Sequence, residues 1–107
     1  MTTLDGITDL EEDVLIYGIC KPMVSIFGKY YKRIDILRVF RELEPLFYDQ
    51  RVMMSNVTKN CKMTKKNQIS GVISSLSKKG LVKCEISHWG EKEIMLTQKG
   101  VWILEKI

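Results

Sequence analysis

The residues of this chain with the most distinctive chemistry are the bases that lie between Asp49 and Glu85. No acidic residue occurs between those two positions, and the bases there are Arg51, Lys59, Lys62, Lys65, Lys66, Lys78, Lys79 and Lys83. Clustered bases favour polyanion binding, because each Lys or Arg near a phosphate releases condensed counterions. A solvated face that only keeps the protein in solution is the alternative that charge alone leaves open.

The rest of the charge is also unevenly placed. The chain has 107 residues and a formal net charge of +4, and its length fits one domain with a core of its own. Its first 13 residues contain no base and carry the acids Asp5, Asp9, Glu11, Glu12 and Asp13. This acidic segment is either a surface for a partner or a well-capped helix start, and the sequence leaves both open.

Catalytic and metal chemistry are not expected. His88 is the only histidine, and Cys20, Cys61 and Cys84 are too widely spaced for a zinc knuckle or a disulfide framework. Cys84 lies near His88 in the sequence, but its predicted place on the inward face of a strand favours a buried structural thiol over a nucleophile. With no phosphate-binding loop or nucleophile elbow, the sequence predicts a protein that is not an enzyme and uses no metal or cofactor.

Several features favour a cytoplasmic protein. Unpaired cysteines are typical of a reducing compartment, and the acidic first residues lack the basic start of a signal peptide. The longest apolar zone, Val14 to Tyr31, is interrupted by Lys21, Pro22, Gly28 and Lys29. It is therefore too short for a membrane helix, which needs about 20 apolar residues.

The N-terminal third predicts a helix that is buried or self-associating. Thr8 and Glu11 have the spacing of a capping box, which predicts a helix start near Asp9, and Pro22 is expected to kink or end that helix. From residue 14 the sequence is apolar all round, so the helix must bury more than one face. We expect residues 14–31 to form part of a homodimer interface, with a central core helix as the alternative.

Two further helices precede the informative one. The first is predicted from Arg33 to Leu43, ended by Pro45 and followed by a loop. The second is short, covers residues 56–61 and is expected to have Ser55 as its N-cap.

The helix predicted from Thr64 to Lys79 is the most informative element. It follows a tight turn at residues 62–63, has Thr64 as its cap and ends before Gly80. Its apolar residues share one stripe and are Ile69, Val72, Ile73 and Leu76. Its opposite face, which has no acid and no large apolar side chain, consists of Asn67, Ser70, Gly71, Ser74 and Lys78, flanked by Lys65, Lys66 and Gln68. Gly71 is either a tolerated surface glycine or a place where a partner approaches the backbone closely.

After Gly80 the apolar period changes to two. This predicts a half-buried strand whose inward residues are Val82, Cys84 and Ile86. A turn at residues 88–92 leads into a second strand over residues 93–97, so the pair is a predicted β-hairpin. Thr97 is then expected to cap a last helix, from Gln98 to about Lys106, whose inward residues include Val101 and Leu104.

The predicted element order is that of a winged helix-turn-helix: helix, short helix, tight turn, helix, hairpin and helix. Residues 57–64 look like its first helix and turn, and two further runs are Ile69-x-x-Val-Ile-x-x-Leu-x-Lys-Lys-Gly-Leu-Val82 and Met95-Leu-Thr-Gln-Lys-Gly100. Over about residues 34–107 the chain resembles the winged-helix regulators of the MarR and PadR type. The resemblance implies one α+β, mainly helical domain over residues 1–107, with an N-terminal helical segment (1–31), a winged-helix core (32–107) and a two-stranded wing.

In that family the second helix of the motif enters the major groove, while the first helix and the wing contact the backbone or the minor groove. The resemblance therefore implies sequence-specific binding to double-stranded DNA by a homodimeric transcriptional repressor. The implied base readers are Lys65, Lys66, Asn67, Gln68, Ser70 and Ser74. The implied phosphate contacts are Ser55, Asn56, Lys59, Lys62, Lys78 and Lys83. The wing tip offers His88, Trp89 and Lys92.

The sequence departs from the family pattern at several places. One extra residue lies before Ile69, the wing tip has no arginine, and the chain lacks a long C-terminal dimerisation helix. Trp89 is expected to pack against its own hairpin, with stacking or wedging against DNA as the alternative. No small-ligand pocket is readable, so no effector is carried over from the family.

Two other functions stay open. One is an accessory DNA-binding protein of a plasmid or phage, in partition or in a conjugative relaxosome, that coats repeated sites. The other is a winged helix used as a protein-interaction module. That use would be marked by apolar residues on the outward face of helix 64–79, which the sequence lacks.

Overall fold

The chain forms an α+β structure that is mostly helical and contains one three-stranded antiparallel sheet. A computed structural model describes residues 6–47 and 50–106, so Asp5 of the acidic segment lies outside the described residues. The α-helices are α1 (Asp9–Asp13), α2 (Lys21–Val24), α3 (Arg33–Leu43), α4 (Met54–Asn60), α5 (Lys66–Lys78) and α6 (Gln98–Lys106). The strands are β1 (Arg51–Met53), β2 (Val82–Ile86) and β3 (Lys92–Leu96).

The first helical segment runs from α1 through a π-helix (Val14–Cys20) into α2. The predicted capping box is confirmed: the Thr8 N–H donates to Glu11 Oε1 over 2.9 Å, and the Glu11 N–H donates to Thr8 Oγ1 over 3.2 Å. Pro22 does not end the segment. A proline has no N–H and clashes with the carbonyl four residues back in an α-helix, and the wider π turn that precedes Pro22 accommodates both effects.

Residues 14–24 lie at the centre of the core. Val14, Leu15, Ile19 and Cys20 are all 0% exposed, because α3, α4 and α5 of the same chain cover the π-helix. The expectation that residues 14–31 form a homodimer interface is therefore wrong for residues 14–24, where the core-helix alternative is confirmed. Several helices of this short chain converge on the segment and bury most of it, so a second copy is not needed to cover it.

Helix α3 has the predicted bounds and buries Ile36, Leu37 and Phe40. Glu44–Phe47 form a 3-10 turn where a loop was expected. Strand β1 is missing from the sequence prediction, because three residues are too few to show a period of two. Its existence depends on pairing with β3, in which Val52 lies opposite Ile94.

The starts of α4 and α5 differ from prediction. Helix α4 begins at Met54, so Ser55 lies inside its first turn and is not an N-cap. Helix α5 begins at Lys66, and Thr64 is buried before it and binds Asp13 instead of capping. At the other end Gly80 has φ +77°, a conformation that favours glycine, and the predicted stop there is confirmed.

The sheet has the order β1-β3-β2, and the predicted hairpin is confirmed as β2 and β3. Val82 is buried as expected, but Cys84 and Ile86 are exposed, and Ile86 is 72% exposed. The prediction that these two residues face the core is wrong. They lie on the same side of the sheet as Val82, but the core covers this side at Val82 and leaves it open farther along the strand.

The segment Leu96–Gly100, part of the motif on which the family resemblance rests, ties the end of α5 to the sheet and to α6. The Thr97 hydroxyl donates to the Gly80 carbonyl over 2.5 Å and accepts from the Gly100 N–H over 3.1 Å, so the predicted cap of α6 is confirmed. Lys99 Nζ donates to the Lys79 carbonyl over 3.1 Å. A Cβ at Gly100 would overlap the carbonyl of Leu81, so this position has room only for glycine.

Candidate nucleic-acid interface

The outward face of α5 is polar, basic and open. Its core stripe buries Ile69, Ile73 and Leu76, as predicted. The residues predicted to face outward are all exposed, and they are Lys65, Lys66, Asn67, Gln68, Ser70, Gly71, Ser74 and Lys78. Gln68 is partly committed, because its Oε1 accepts the Lys65 N–H over 3.0 Å. Nothing lies within 4 Å of a Cβ placed on Gly71, so packing within the chain does not require glycine there.

A groove separates this face from the hairpin. On the α5 side it is lined by Ser70, Ser74 and Lys78, and on the hairpin side by Cys84 and Lys92. Small hydroxyl side chains and two ammonium groups therefore face one another across an open surface. Such a surface can donate hydrogen bonds to phosphate oxygens and to base edges.

One acid of the N-terminal segment is used inside the fold. Glu11 is 2% exposed, and its carboxylate accepts from Ser75 Oγ over 2.9 Å and from Lys79 Nζ over 2.6 Å. Burial raises the pKa of Glu11, but the Lys79 ammonium and the hydrogen bonds from Thr8 and Ser75 outweigh it and hold the pKa below its usual value. Lys79 is consequently a structural base and does not belong to the open basic face.

A second buried acid fixes the turn between α4 and α5. Asp13 is 4% exposed, and its Oδ1 accepts the Lys62 N–H over 3.1 Å. Its Oδ2 accepts the N–H groups of Met63 and Thr64 over 3.0 and 2.9 Å, and the Thr64 hydroxyl over 2.8 Å. The carboxylate thus satisfies three consecutive backbone donors of the turn and sets how α5 leaves it. Glu11 and Asp13 therefore belong to the helix-start interpretation of the acidic segment.

The residues predicted as phosphate contacts are not equally available. Asn56, Lys59 and Lys78 are exposed. Ser55 Oγ donates to Glu91 Oε1 over 2.6 Å, and Lys83 Nζ lies 3.5 Å from Glu85 Oε1.

Among the other bases of the acid-free stretch, Arg51 pairs with Glu85 over 3.0 Å, on the opposite side of the sheet from Cys84. The Lys62 ammonium lies 5.5 Å from the ring centre of Tyr17, a cation–π distance. The bases that form no ion pair with another described residue are Lys59, Lys62, Lys65, Lys66 and Lys78.

The hairpin turn carries the predicted tip residues on a fixed backbone. His88, Trp89 and Lys92 are exposed, and Trp89 is 86% exposed. The expectation that Trp89 packs against its own hairpin is wrong, because the turn over residues 87–91 directs the indole into solvent.

The three thiols differ sharply in environment. Cys20 is fully buried, and burial raises its pKa. Burial, together with the charge of Asp13, raises the pKa of Cys61 to about 12. Cys84 is exposed in the groove, contrary to the expectation of a buried structural thiol.

Sequence reasoning placed the α5 face but missed the residues that position it. Asp13 and Glu91 had no predicted partner, since their partners lie 51 and 36 residues away in sequence. Glu11 was predicted as part of the capping box, but its bond to Ser75, 64 residues away, was not predicted. The signal available was the capping box, which fixes the helix that carries both N-terminal acids but not the side of the fold that they face.

Exposed apolar side chains cluster elsewhere in the sequence. Ile26, Tyr31 and Ile34 are 70%, 66% and 73% exposed, and Phe27 is 44% exposed. Within residues 6–47 and 50–106, no helix has the length and apolar content needed to cross a membrane.

No protein-family model matches this chain, and neither a curated protein nor a solved structure is found to match it.

Proposed function

We propose that this chain is a winged helix-turn-helix protein that binds double-stranded DNA and represses transcription as a cytoplasmic homodimer. In this proposal α4, the turn at residues 61–65 and α5 are the helix-turn-helix, and β2 and β3 are the wing. The sheet order is β1-β3-β2, so the short strand before α4 pairs with the second strand of the proposed wing.

The observation that carries the proposal is the exposed face of α5. It is a thirteen-residue helix with exposed Asn67, Ser70 and Ser74 in its outward face. An α-helix of this kind fits the major groove, where Asn can bind adenine bidentately and Ser can bind either partner of a pair.

Charge placement supports the same surface. The exposed Lys65 and Lys66 lie at the start of α5, and the exposed Lys78 lies at its end. Glu11 and Asp13, the acids nearest to α5 in the fold, are buried and hydrogen-bonded. The positive charge therefore faces outward, where phosphates would meet it.

Within this proposal the side chains have distinct roles. Asn67, Ser70 and Ser74 read base edges from the middle of the face, with Lys65, Lys66 and Gln68 at its leading end. Asn56, Lys59, Lys62 and Lys78 contact phosphates. Ser55 and Lys83 are less available for this role, because Glu91 and Glu85 already bind them.

The homodimer requires a surface other than residues 14–24. The exposed Ile26, Phe27, Tyr31 and Ile34 are the apolar side chains that a second copy would cover. Sedimentation of the full chain and of Tyr31→Glu tests this: a dimer that becomes a monomer in the variant is expected. A wild-type monomer, or a variant that stays dimeric, contradicts the assignment.

Salt-dependent binding tests the proposed function. Fluorescence anisotropy of a labelled 24-base-pair duplex pool, titrated between 50 and 300 mM salt, is expected to show affinity that falls steeply with salt. Each phosphate neutralised adds about −0.9 to the slope of log K against log[salt]. Lys78→Ala, which removes a proposed phosphate contact at the end of α5, is expected to weaken binding to every sequence and to reduce the slope by about one.

The matched control is Arg41→Ala, which also removes one exposed base but from α3. It is expected to leave affinity and slope within error of wild type. Absence of binding at 50 mM salt, or equal losses in both variants, contradicts the proposal. Cooperative footprints over tandem repeats would instead favour the accessory plasmid or phage role.

A further inference from the structure

The tip of the hairpin presents two large apolar side chains to solvent. Among the large apolar side chains that the structure describes, Trp89 is the most exposed, at 86%, and Ile86 is 72% exposed. Ile86 lies opposite Lys92 at the last pair of the β2–β3 ladder, and Trp89 lies in the turn beyond that pair.

The backbone that carries Trp89 is held firmly. The Ser87 N–H donates to the Glu91 carbonyl over 2.8 Å, and the Gly90 N–H donates to the Ser87 carbonyl over 3.0 Å. Ser87 Oγ also accepts the N–H groups of Trp89 and Glu91, each over 3.3 Å. The indole is thus exposed on an ordered turn.

The turn is also fixed relative to α4. Glu91 Oε1 accepts the Ser55 hydroxyl over 2.6 Å, which joins the tip to the first turn of that helix. A side chain presented on such an anchored support loses little further entropy when it meets a partner.

The tip continues the surface on which the proposed function rests. Cys84 and Lys92 line the groove beside α5, and strand pairing places Ile86 on the same side of the hairpin as both. Ile86 pairs with Lys92 at the edge of the groove, so the turn that carries Trp89 projects beyond the groove at the end of the hairpin. A helix with its side chains is about 10–12 Å wide and fills a major groove about 12 Å wide, so a projection beside α5 meets the phosphates and the neighbouring minor groove.

We propose that Trp89, supported by Ile86, enters the minor groove beside the α5 site, wedges between two base pairs and bends the duplex. Apolar wedges of this kind partly unstack a base step and kink DNA toward the major groove. The ammonium of Lys92, next to the wedge, meets the phosphates that the bend brings closer. Since pyrimidine–purine steps unstack most easily, a TA or CA step is favoured at the insertion point.

The experiment uses Trp102→Phe, which leaves Trp89 as the only tryptophan of the chain. The variant is first shown to bind the labelled duplex pool as wild type does. Trp89 fluorescence is then measured with and without duplex, together with its quenching by acrylamide. Bound duplex is expected to quench the indole and to reduce its accessibility to acrylamide at least threefold.

A second arm of the experiment measures the bend of the DNA. With a duplex labelled at both ends, energy transfer is expected to report a bend of about 20–90° with wild type and little bend with Trp89→Ala. Trp89→Ala is also expected to weaken binding about 5- to 150-fold, the range for loss of one base-stacking aromatic. Because Trp89 is exposed, Trp89→Ala is expected to have the same Tm as wild type.

The outcomes separate this inference from the function on which it depends. Salt-dependent duplex binding with Trp89 still fully open to acrylamide, or with an unchanged bend in Trp89→Ala, overturns the wedge and leaves the α5 proposal standing. Absence of duplex binding by wild type overturns both. Burial of Trp89 only in a dimer without DNA assigns the tip to self-association and also overturns the wedge.

Discussion

Replacing Asp13 by Ala tests whether one buried carboxylate holds the turn that sets the direction of α5. Two of its donors, the Thr64 N–H and hydroxyl, are buried, whereas the N–H groups of Lys62 and Met63 are only partly buried. A buried donor left without a partner costs about 1–3 kcal/mol, and water can satisfy the other two. We expect Asp13→Ala to lower the free energy of unfolding by about 2–6 kcal/mol, which is the sum for the two buried donors.

That loss is large for a chain of this size, because whole domains are stable by only about 5–15 kcal/mol. A loss of 3 kcal/mol corresponds to a fall in Tm of about 10–20 °C. Asp13→Asn is expected to cost about half as much, since one amide oxygen can replace Oδ2 and accept from Met63 and Thr64. Urea and thermal unfolding followed by circular dichroism measure all three proteins.

The matched control for Asp13 is Asp9, an exposed acid in the first turn of the same helix. Asp9→Ala is expected to cost no more than about 1 kcal/mol, the helix-dipole contribution. The reasoning is refuted if Asp13→Ala costs as little as Asp9→Ala, or if the Ala and Asn variants of Asp13 are equally unstable.

Three further predictions concern other parts of the structure. The pKa of Glu11 lies below its ordinary value of 4.5, so the stability that its carboxylate contributes is complete above pH 4.5 and is lost as the pH falls through the folded-state pKa. Glu11→Gln should therefore lose less stability than wild type between pH 5 and pH 3, as measured by urea unfolding. A parallel pH dependence of the two proteins would contradict this. Gly100→Ala should destabilise the protein by about 3 kcal/mol or more, because its Cβ would overlap the Leu81 carbonyl. Gly71→Ala, which has open space in mid-helix, should stabilise the protein by about 0.5–1 kcal/mol in the same assay. Similar effects at both positions would be inconsistent with the packing. Maleimide at pH 7.5 should label only Cys84, because raised pKa values and burial protect the other two thiols, and labelling of Cys20 would contradict its burial. Bound duplex should slow the labelling of Cys84 several-fold, and unchanged kinetics would argue against the groove as part of the interface.

The sequence predicted elements well where one local pattern decides them. Helix α3 has the predicted bounds, and α5 was placed within two residues, because a stripe of apolar residues such as Ile69, Ile73 and Leu76 marks a helix whatever surrounds it. Gly80 and Thr97 were also identified correctly, since a helix stop and a helix cap depend on neighbouring residues.

Three of the failures depend on distant parts of the chain. Alternation placed Cys84 on the same side as Val82, but it does not show whether another element covers that side. Thr64 has the chemistry of an N-cap, and Asp13, far away in sequence, is the acceptor that binds it instead. Residues 14–24 show the same dependence, because an apolar segment does not itself reveal whether its own chain or a second copy buries it.

The features of the candidate site likewise divide into those that a local sequence pattern predicts and those that it does not. The exposed face of α5 could be predicted in full, since a face without large apolar residues has nothing to bury. The commitment of Ser55 to Glu91 and of Lys79 to Glu11 could not, because a hydrogen bond or ion pair across the fold leaves no local spacing. Lys83 and Glu85 lie two residues apart in β2, so their pairing was open to prediction and was missed. The structure therefore reduces the eight bases of the acid-free stretch to five that form no ion pair with another described residue: Lys59, Lys62, Lys65, Lys66 and Lys78.

Selection of bound duplexes from a random pool, run in parallel with wild type and Asn67→Ala, tests the central claim most directly. If α5 reads the major groove from a homodimer, wild type is expected to enrich an inverted repeat with half-sites about one helical turn apart. Asn67→Ala should then enrich the same repeat with one position per half-site relaxed, since each bidentate contact contributes about 1–3 kcal/mol of discrimination. No enriched motif with wild type, or an unchanged motif with Asn67→Ala, would contradict the claim.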